Sequence, residues 1–201
     1  MPLSARPRKG ALSVRETALF AMIGVMMYAG KAAMEPLPNI HPLALFTVTV
    51  TLVYRRRALY PIYAYVLVNG LFAGFAPWWL PYLYLWTLLW GGAMLLPRAM
   101  GAKRAAAACC ALCTAHGLAF GALYAPVQAL MYGLSREGML AWIIAGLPFD
   151  AVHAAGNFAM SLLVVPLTRL LTQLSRRANI PCSPPAWAEM RENRKKTGSN
   201  S

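Results

Sequence analysis

Apolar residues in this chain come in long runs separated by proline, glycine and short clusters of arginine and lysine, and that spacing limits the possible folds more than any other feature. A helix that crosses about 30 Å of hydrocarbon needs roughly 20 mostly apolar residues. The 201-residue chain holds six candidate runs, at 17–34, 43–54, 58–76, 78–96, 105–131 and 148–171. Only 12% of residues are charged, against about a quarter in an ordinary soluble domain. The expected medium is therefore lipid. The sequence outside the runs is too short to build a soluble nucleotide-binding or catalytic domain.

The formal charge of +13 would suit nucleic acid if the cations were gathered on one surface, but they are not. Four precede the first run, three lie between the second and third, three between the fourth and fifth, and seven follow from Arg169 onward. That places seventeen of nineteen on one side of a six-span protein, with Lys31 and Arg136 on the other. Cytoplasmic loops carry such an excess. The pattern predicts an all-α integral membrane protein with six transmembrane helices and both termini cytoplasmic. It comprises a basic N-terminus (1–16), a membrane domain (17–175) and a disordered basic tail (176–201), and nucleic acid is not a partner. The first run is kept as a span, because Tyr28-Ala29-Gly30 is a poor cleavage site for a signal peptide.

The second run makes only about 18 Å of helix. Before it, Glu35-Pro-Leu-Pro-Asn-Ile-His-Pro42 holds three prolines, which forbid a continuous helix. Irregular backbone at membrane depth survives only where it is buried in protein or lines a wet cavity. This segment therefore reads as a loop over an outward-facing cavity. Lys31 and Glu35 are spaced to pair with each other; alternatively, Glu35, Asn39 and His41 cap a ligand.

Polar residues within apolar runs are costly and are functional candidates by default. Asp150, His153, Asn157 and Ser161 follow steps of three, four and four, which puts them on one narrow helical stripe. A stripe of this kind either faces a ligand or joins helices by hydrogen bonds. His116, near the middle of the fifth run, is a candidate second wall, with Gly117, Ala119 and Gly121 allowing close packing beside it. Trp79, Tyr82 and Trp86 share a face and either form an interfacial belt or stack on a planar ring. Cys109, Cys110 and Cys113 read as small packing residues rather than metal ligands. No metal, cofactor or catalytic residue is assigned.

Three passages carry a family resemblance: Leu37-Pro-Asn-Ile-His-Pro42, Pro77-Trp-Trp-Leu-Pro-Tyr-Leu-Tyr84, and Leu147-Pro-Phe-Asp-Ala-Val-His-Ala-Ala-Gly-Asn-Phe158 leading to Val165-Pro-Leu167. With the six-run plan, the chain resembles the substrate-binding (S) components of energy-coupling-factor (ECF) transporters over roughly residues 15 to 175. The resemblance implies a six-helix protein of the prokaryotic plasma membrane that binds a vitamin or related micronutrient at its outer side. It also implies docking on a transmembrane coupling subunit driven by two cytoplasmic ATPase subunits. The chain itself is then not an enzyme, and it carries no Gly-Lys-Ser/Thr phosphate loop. Such proteins often show an A-x-x-x-A pattern on the first helix. Here the clean match, Ala29 to Ala33, lies near its outer end, and Ala18, Ala21 and Gly24 form a looser stripe. With Glu35 and Asp150 outnumbering Lys31 on the outer side, the expected ligand is a neutral or cationic planar heterocycle. The competing readings are an intramembrane enzyme using Asp150, His153 and His116, and a scaffold that binds nothing.

Overall fold

The run that is too short to span turns out to be the centre of the fold. The computed structural model describes residues 12–189. They form eight α-helices and no strand: α1 (Val14–Ala33), α2 (Leu43–Tyr54), α3 (Leu59–Ala73), α4 (Tyr82–Leu95), α5 (Ala102–Leu118), α6 (Phe120–Tyr132), α7 (Arg136–Ser161) and α8 (Val164–Arg177). Short 3-10 turns sit at Arg55–Ala58 and Pro77–Trp79. Every residue of α2 except Phe46 is buried, as expected of a helix that is apolar all round. Helices α1, α3, α4, α5, α7 and α8 all pack against it. Of its three buried threonines, Thr51 is satisfied within the helix, its Oγ1 donating to the Thr47 carbonyl at 2.6 Å.

Two of the expected spans are redrawn. The fifth forms α5 and α6, which meet at Ala119 in a continuous run of 31 residues, Ala102–Tyr132. The sixth does not begin near Pro148. Helix α7 starts at Arg136, where Ser135 Oγ accepts the Gly138 N–H, and it carries Pro148 in its interior. It ends at Ser161, and α8 follows with Pro166 in its first turn, where a missing N–H costs nothing. Gly133, left-handed at φ 64°, ends α6 and turns the chain into α7. The runs Ala102–Tyr132 and Arg136–Ser161 are long and apolar enough to cross a membrane.

Close approach at glycine sets the helix pairs around the site. A Cβ on Gly117 would lie 2.8 Å from the Ala154 backbone, so α5 and α7 touch main chain to main chain. Gly24 of α1 meets Ala64 and Tyr65 of α3 in the same way. That spends the glycine of the looser first-helix stripe on internal packing, while Ala18 and Ala21 stay exposed.

One end of the bundle is tied by polar contacts. Ser13 and Glu16 form a capping box at the start of α1, and Arg57 pairs with Glu16. Arg55 donates to the Met94 carbonyl at 2.8 Å, and its own carbonyl accepts the Trp90 indole N–H at 3.1 Å. The chain from Ala178 to Glu189, expected to be disordered, packs here instead. Ile180, Trp187 and Ala188 are buried against the core, the Ser183 N–H donates to the Val53 carbonyl, and Arg98 grips the carbonyls of Ser183 and Pro184. Two large apolar side chains and the free carbonyls of helix ends give an aperiodic segment enough to bind to. The rest of the expected tail and residues 1–11 lie outside the described residues.

Candidate ligand-binding site

At the opposite end, all three histidines of the chain join one aromatic cluster built on Trp86 and Phe120. Trp86 of α4 is fully buried. Its ring lies 6.1 Å from His41, 5.8 Å from His116, 5.7 Å from Tyr82, 6.0 Å from Tyr65 and 6.1 Å from Phe120, centroid to centroid. Phe120 stands 4.7 Å from His153 and 5.9 Å from His116. His153 in turn meets His41 edge-on at 4.9 Å. The loop, α3, α4, the α5–α6 junction and α7 each contribute to this cluster.

A cavity of about 190 Å³ opens beside it, lined by His41, Tyr82, Phe120 and His153 together with Lys31, Glu35, Asn39 and neighbouring loop residues. The proline-broken segment thus forms one wall, with Glu35 and Asn39 exposed and His41 half-buried. Asn39 adopts φ 60°, a conformation that asparagine tolerates better than most residues. Lys31 and Glu35 both line the cavity and form no ion pair with each other among the described residues.

Several buried polar atoms in this aromatic cluster have no hydrogen-bond partner among the described residues: His41 Nδ1, Tyr65 Oη, Trp86 Nε1, His116 Nδ1 and His153 Nε2. More than nine in ten buried polar groups in native proteins are paired, so such a concentration calls for an explanation. His116 Nε2 is within 3.2 Å of the Leu85 carbonyl, which fixes the ring. Burial, opposed by a backbone hydrogen bond and aided by the charge of Lys31, pushes the His41 imidazole down to about 4. It is therefore neutral near pH 7, with one ring nitrogen able to donate and the other to accept. No group of three His, Cys, Asp or Glu among the described residues is placed to hold a metal ion. The cluster can grip a small polar ring by hydrogen bonds and aromatic contact.

The sequence stripe on α7 divides. His153 reaches the pocket. Asn157 Nδ2 donates to the Cys113 carbonyl of α5 at 3.2 Å, and Ser161 donates to the Phe158 carbonyl within its own helix, so both do structural work. Asp150 does not line this pocket. Its two oxygens accept the Gly121 N–H at 3.1 Å each, at the first turn of α6. Trp79 is also elsewhere: its indole N–H donates to the Val66 carbonyl of α3 at 2.8 Å, and its ring meets Phe75. Phe120 and Tyr65 were not anticipated from the sequence. Phe120 lies four residues after His116 and so on the same helical face, a signal that was available, whereas nothing local marks Tyr65.

No family model, no curated protein and no solved structure matches this chain.

Proposed function

We propose that the chain is the substrate-binding subunit of an ECF-type importer, a six-span protein with both termini cytoplasmic. It captures a vitamin-like micronutrient from outside and hands it to a coupling subunit energised by two ATPases. The observation that carries this reading is the pocket in which His41 of the proline-broken loop, Tyr82 of α4 and His153 of α7 converge, with buried ring nitrogens unpaired among the described residues. Binding sites of this kind are concave, mostly apolar and fitted with a few convergent polar groups. At about 190 Å³ the pocket is below the usual range for drug-sized ligands, which favours a ligand of one or two rings.

The surface supports a membrane setting. Helix α8 turns Val164, Thr168, Thr172 and Ser175 inward and leaves Leu170 and Leu174 half exposed, while Phe72, Leu95 and Leu130 are 74%, 85% and 81% exposed. Apolar exposure on this scale is what a lipid-facing surface requires and a water-facing one avoids. The end bearing Arg55, Arg98 and Arg176 is the cytoplasmic one in this reading.

The test is mass spectrometry of the small molecules released when the detergent-purified protein is denatured, run beside co-purification with a coupling subunit. A near-stoichiometric heterocycle, lost in His153→Ala, supports capture at this pocket. Uptake that proceeds without any ATPase partner would overturn the importer assignment.

A further inference from the structure

A second cavity, of about 450 Å³, lies on the far side of Asn39 and Phe120 from the histidine cluster. Its walls are Trp78, Tyr124, Tyr132, Trp142 and Phe149, with the Asp150 carboxylate among them. The Tyr124 and Trp142 rings stack at 6.0 Å with 20° between their planes. The Tyr124 hydroxyl donates to the Trp78 carbonyl at 2.6 Å, which holds the two walls together.

The carboxylate is what makes this cavity informative. Asp150 is 6% exposed, yet its one protein partner among the described residues is the single N–H of Gly121, shared between both oxygens. It takes part in no ion pair among the described residues, and no lysine or arginine lines the cavity. A buried carboxylate without a counter-charge is expensive, and an ionised one offers about four lone-pair sites, of which one N–H uses only a part. Capping one helix N–H does not need a full buried charge, since a neutral oxygen serves as well. Aromatic faces are themselves cation-seeking, because their quadrupole presents negative potential above the ring.

We propose that this cavity is an organic-ammonium site, distinct from the histidine pocket, in which the cation sits among the aromatic rings with Asp150 as its counter-charge. Its chemistry selects a quaternary or methylated ammonium group. An anion would meet Asp150 and no basic residue, and an uncharged apolar group would leave the carboxylate unpaired. The same chemistry is carried by a free solute such as choline and by a lipid headgroup, and the cavity accommodates either.

The deciding experiment titrates the purified chain in a non-ionic detergent with choline and, separately, with 3,3-dimethylbutan-1-ol, the uncharged carbon isostere of choline. Tryptophan fluorescence, to which Trp78 and Trp142 contribute from the cavity wall, is the readout. Choline is expected to give a saturable change at millimolar concentration or below, and the isostere to bind at least roughly ten-fold more weakly. Asp150→Asn and Trp142→Ala should each lose about ten-fold in choline affinity. Trp142 is half-buried and its indole makes no hydrogen bond among the described residues that its loss would strand, so it serves if Asp150→Asn does not fold. Equal binding of the two probes, no saturable response to choline up to about 50 mM, or wild-type affinity in Trp142→Ala would each overturn the proposal. Repeating the titration in phosphatidylglycerol and in phosphatidylcholine nanodiscs separates the sources. A choline response suppressed only in phosphatidylcholine identifies a headgroup site, and an equal response in both identifies a solute site.

Discussion

The two ends of this bundle use polar side chains in opposite ways. At the arginine-rich end several polar groups are spent on the fold: Glu16 on Ser13 and Arg57, Tyr54 on Ser175 at 2.6 Å, and Arg98 on two backbone carbonyls of the returning C-terminal segment. At the histidine end, one nitrogen of each imidazole and the Trp86 indole nitrogen are buried without partners among the described residues. Polar groups that pair internally stabilise; polar groups that are buried and unpaired cost stability and are kept for another reason. In the proposed function, this contrast is what favours capture at the histidine end. It also predicts that substitutions at the two ends will separate stability from ligand capture.

The largest effect on stability is expected from Trp187→Ala. Trp187 is 1% exposed and anchors the returning segment. Truncating a buried tryptophan typically costs about 3–5 kcal/mol, so denaturant or thermal unfolding should show a large loss while ligand content per folded protein is unchanged. An unaltered unfolding midpoint would mean that the segment from Ala178 to Glu189 adds nothing to the fold. Arg98→Ala should weaken the same attachment by about 1 kcal/mol, the usual net value of a hydrogen bond, because the guanidinium is exposed.

These contacts show where sequence reasoning reaches its limit. The short second run and the proline-broken segment before it were readable, since helix length and proline geometry are local. The convergence of His41, His153 and Tyr82 was readable only in part, because the stripe that marked His153 marked Asp150, Asn157 and Ser161 equally, and those three bond elsewhere. The fate of Asp150 was not readable. Its partner is the backbone of Gly121, freed by a helix break at Ala119, and no pattern in the sequence marks that break or brings it opposite α7. Trp79 likewise took a carbonyl of α3 that only the tertiary arrangement supplies. The C-terminal segment has no periodicity to detect, and a single well-placed tryptophan outweighed its composition.

A smaller effect, visible only as a pH slope, is expected at Glu16. Burial alone would raise its carboxyl, but the Ser13 hydrogen bonds and the Arg57 charge together hold it below its ordinary 4.5. The unfolded chain therefore takes up the proton first as pH falls. The contribution of this group is complete above about 4.5 and is lost as pH drops through the lower, folded value. Glu16→Gln should flatten the acid limb of stability against pH, and an unchanged limb would show that Arg57 and Ser13 hold the carboxyl no better than water does.

The least effect on stability, and the sharpest separation of the two ends, is expected from His153→Leu. In the wild-type protein His153 Nε2 is buried without a partner among the described residues, so the fold already bears the cost of that group. Exchanging it for an apolar side chain of similar size removes an unsatisfied atom and leaves no new one behind, a change that is near neutral or stabilising. The unfolding midpoint should stay level or rise, while capture at the pocket shared with His41 falls, because a ligand that bonds the imidazole loses its partner. A clear fall in stability instead would mean that His153 holds α7 in place, and the difference between the two ends would then be one of geometry rather than of function.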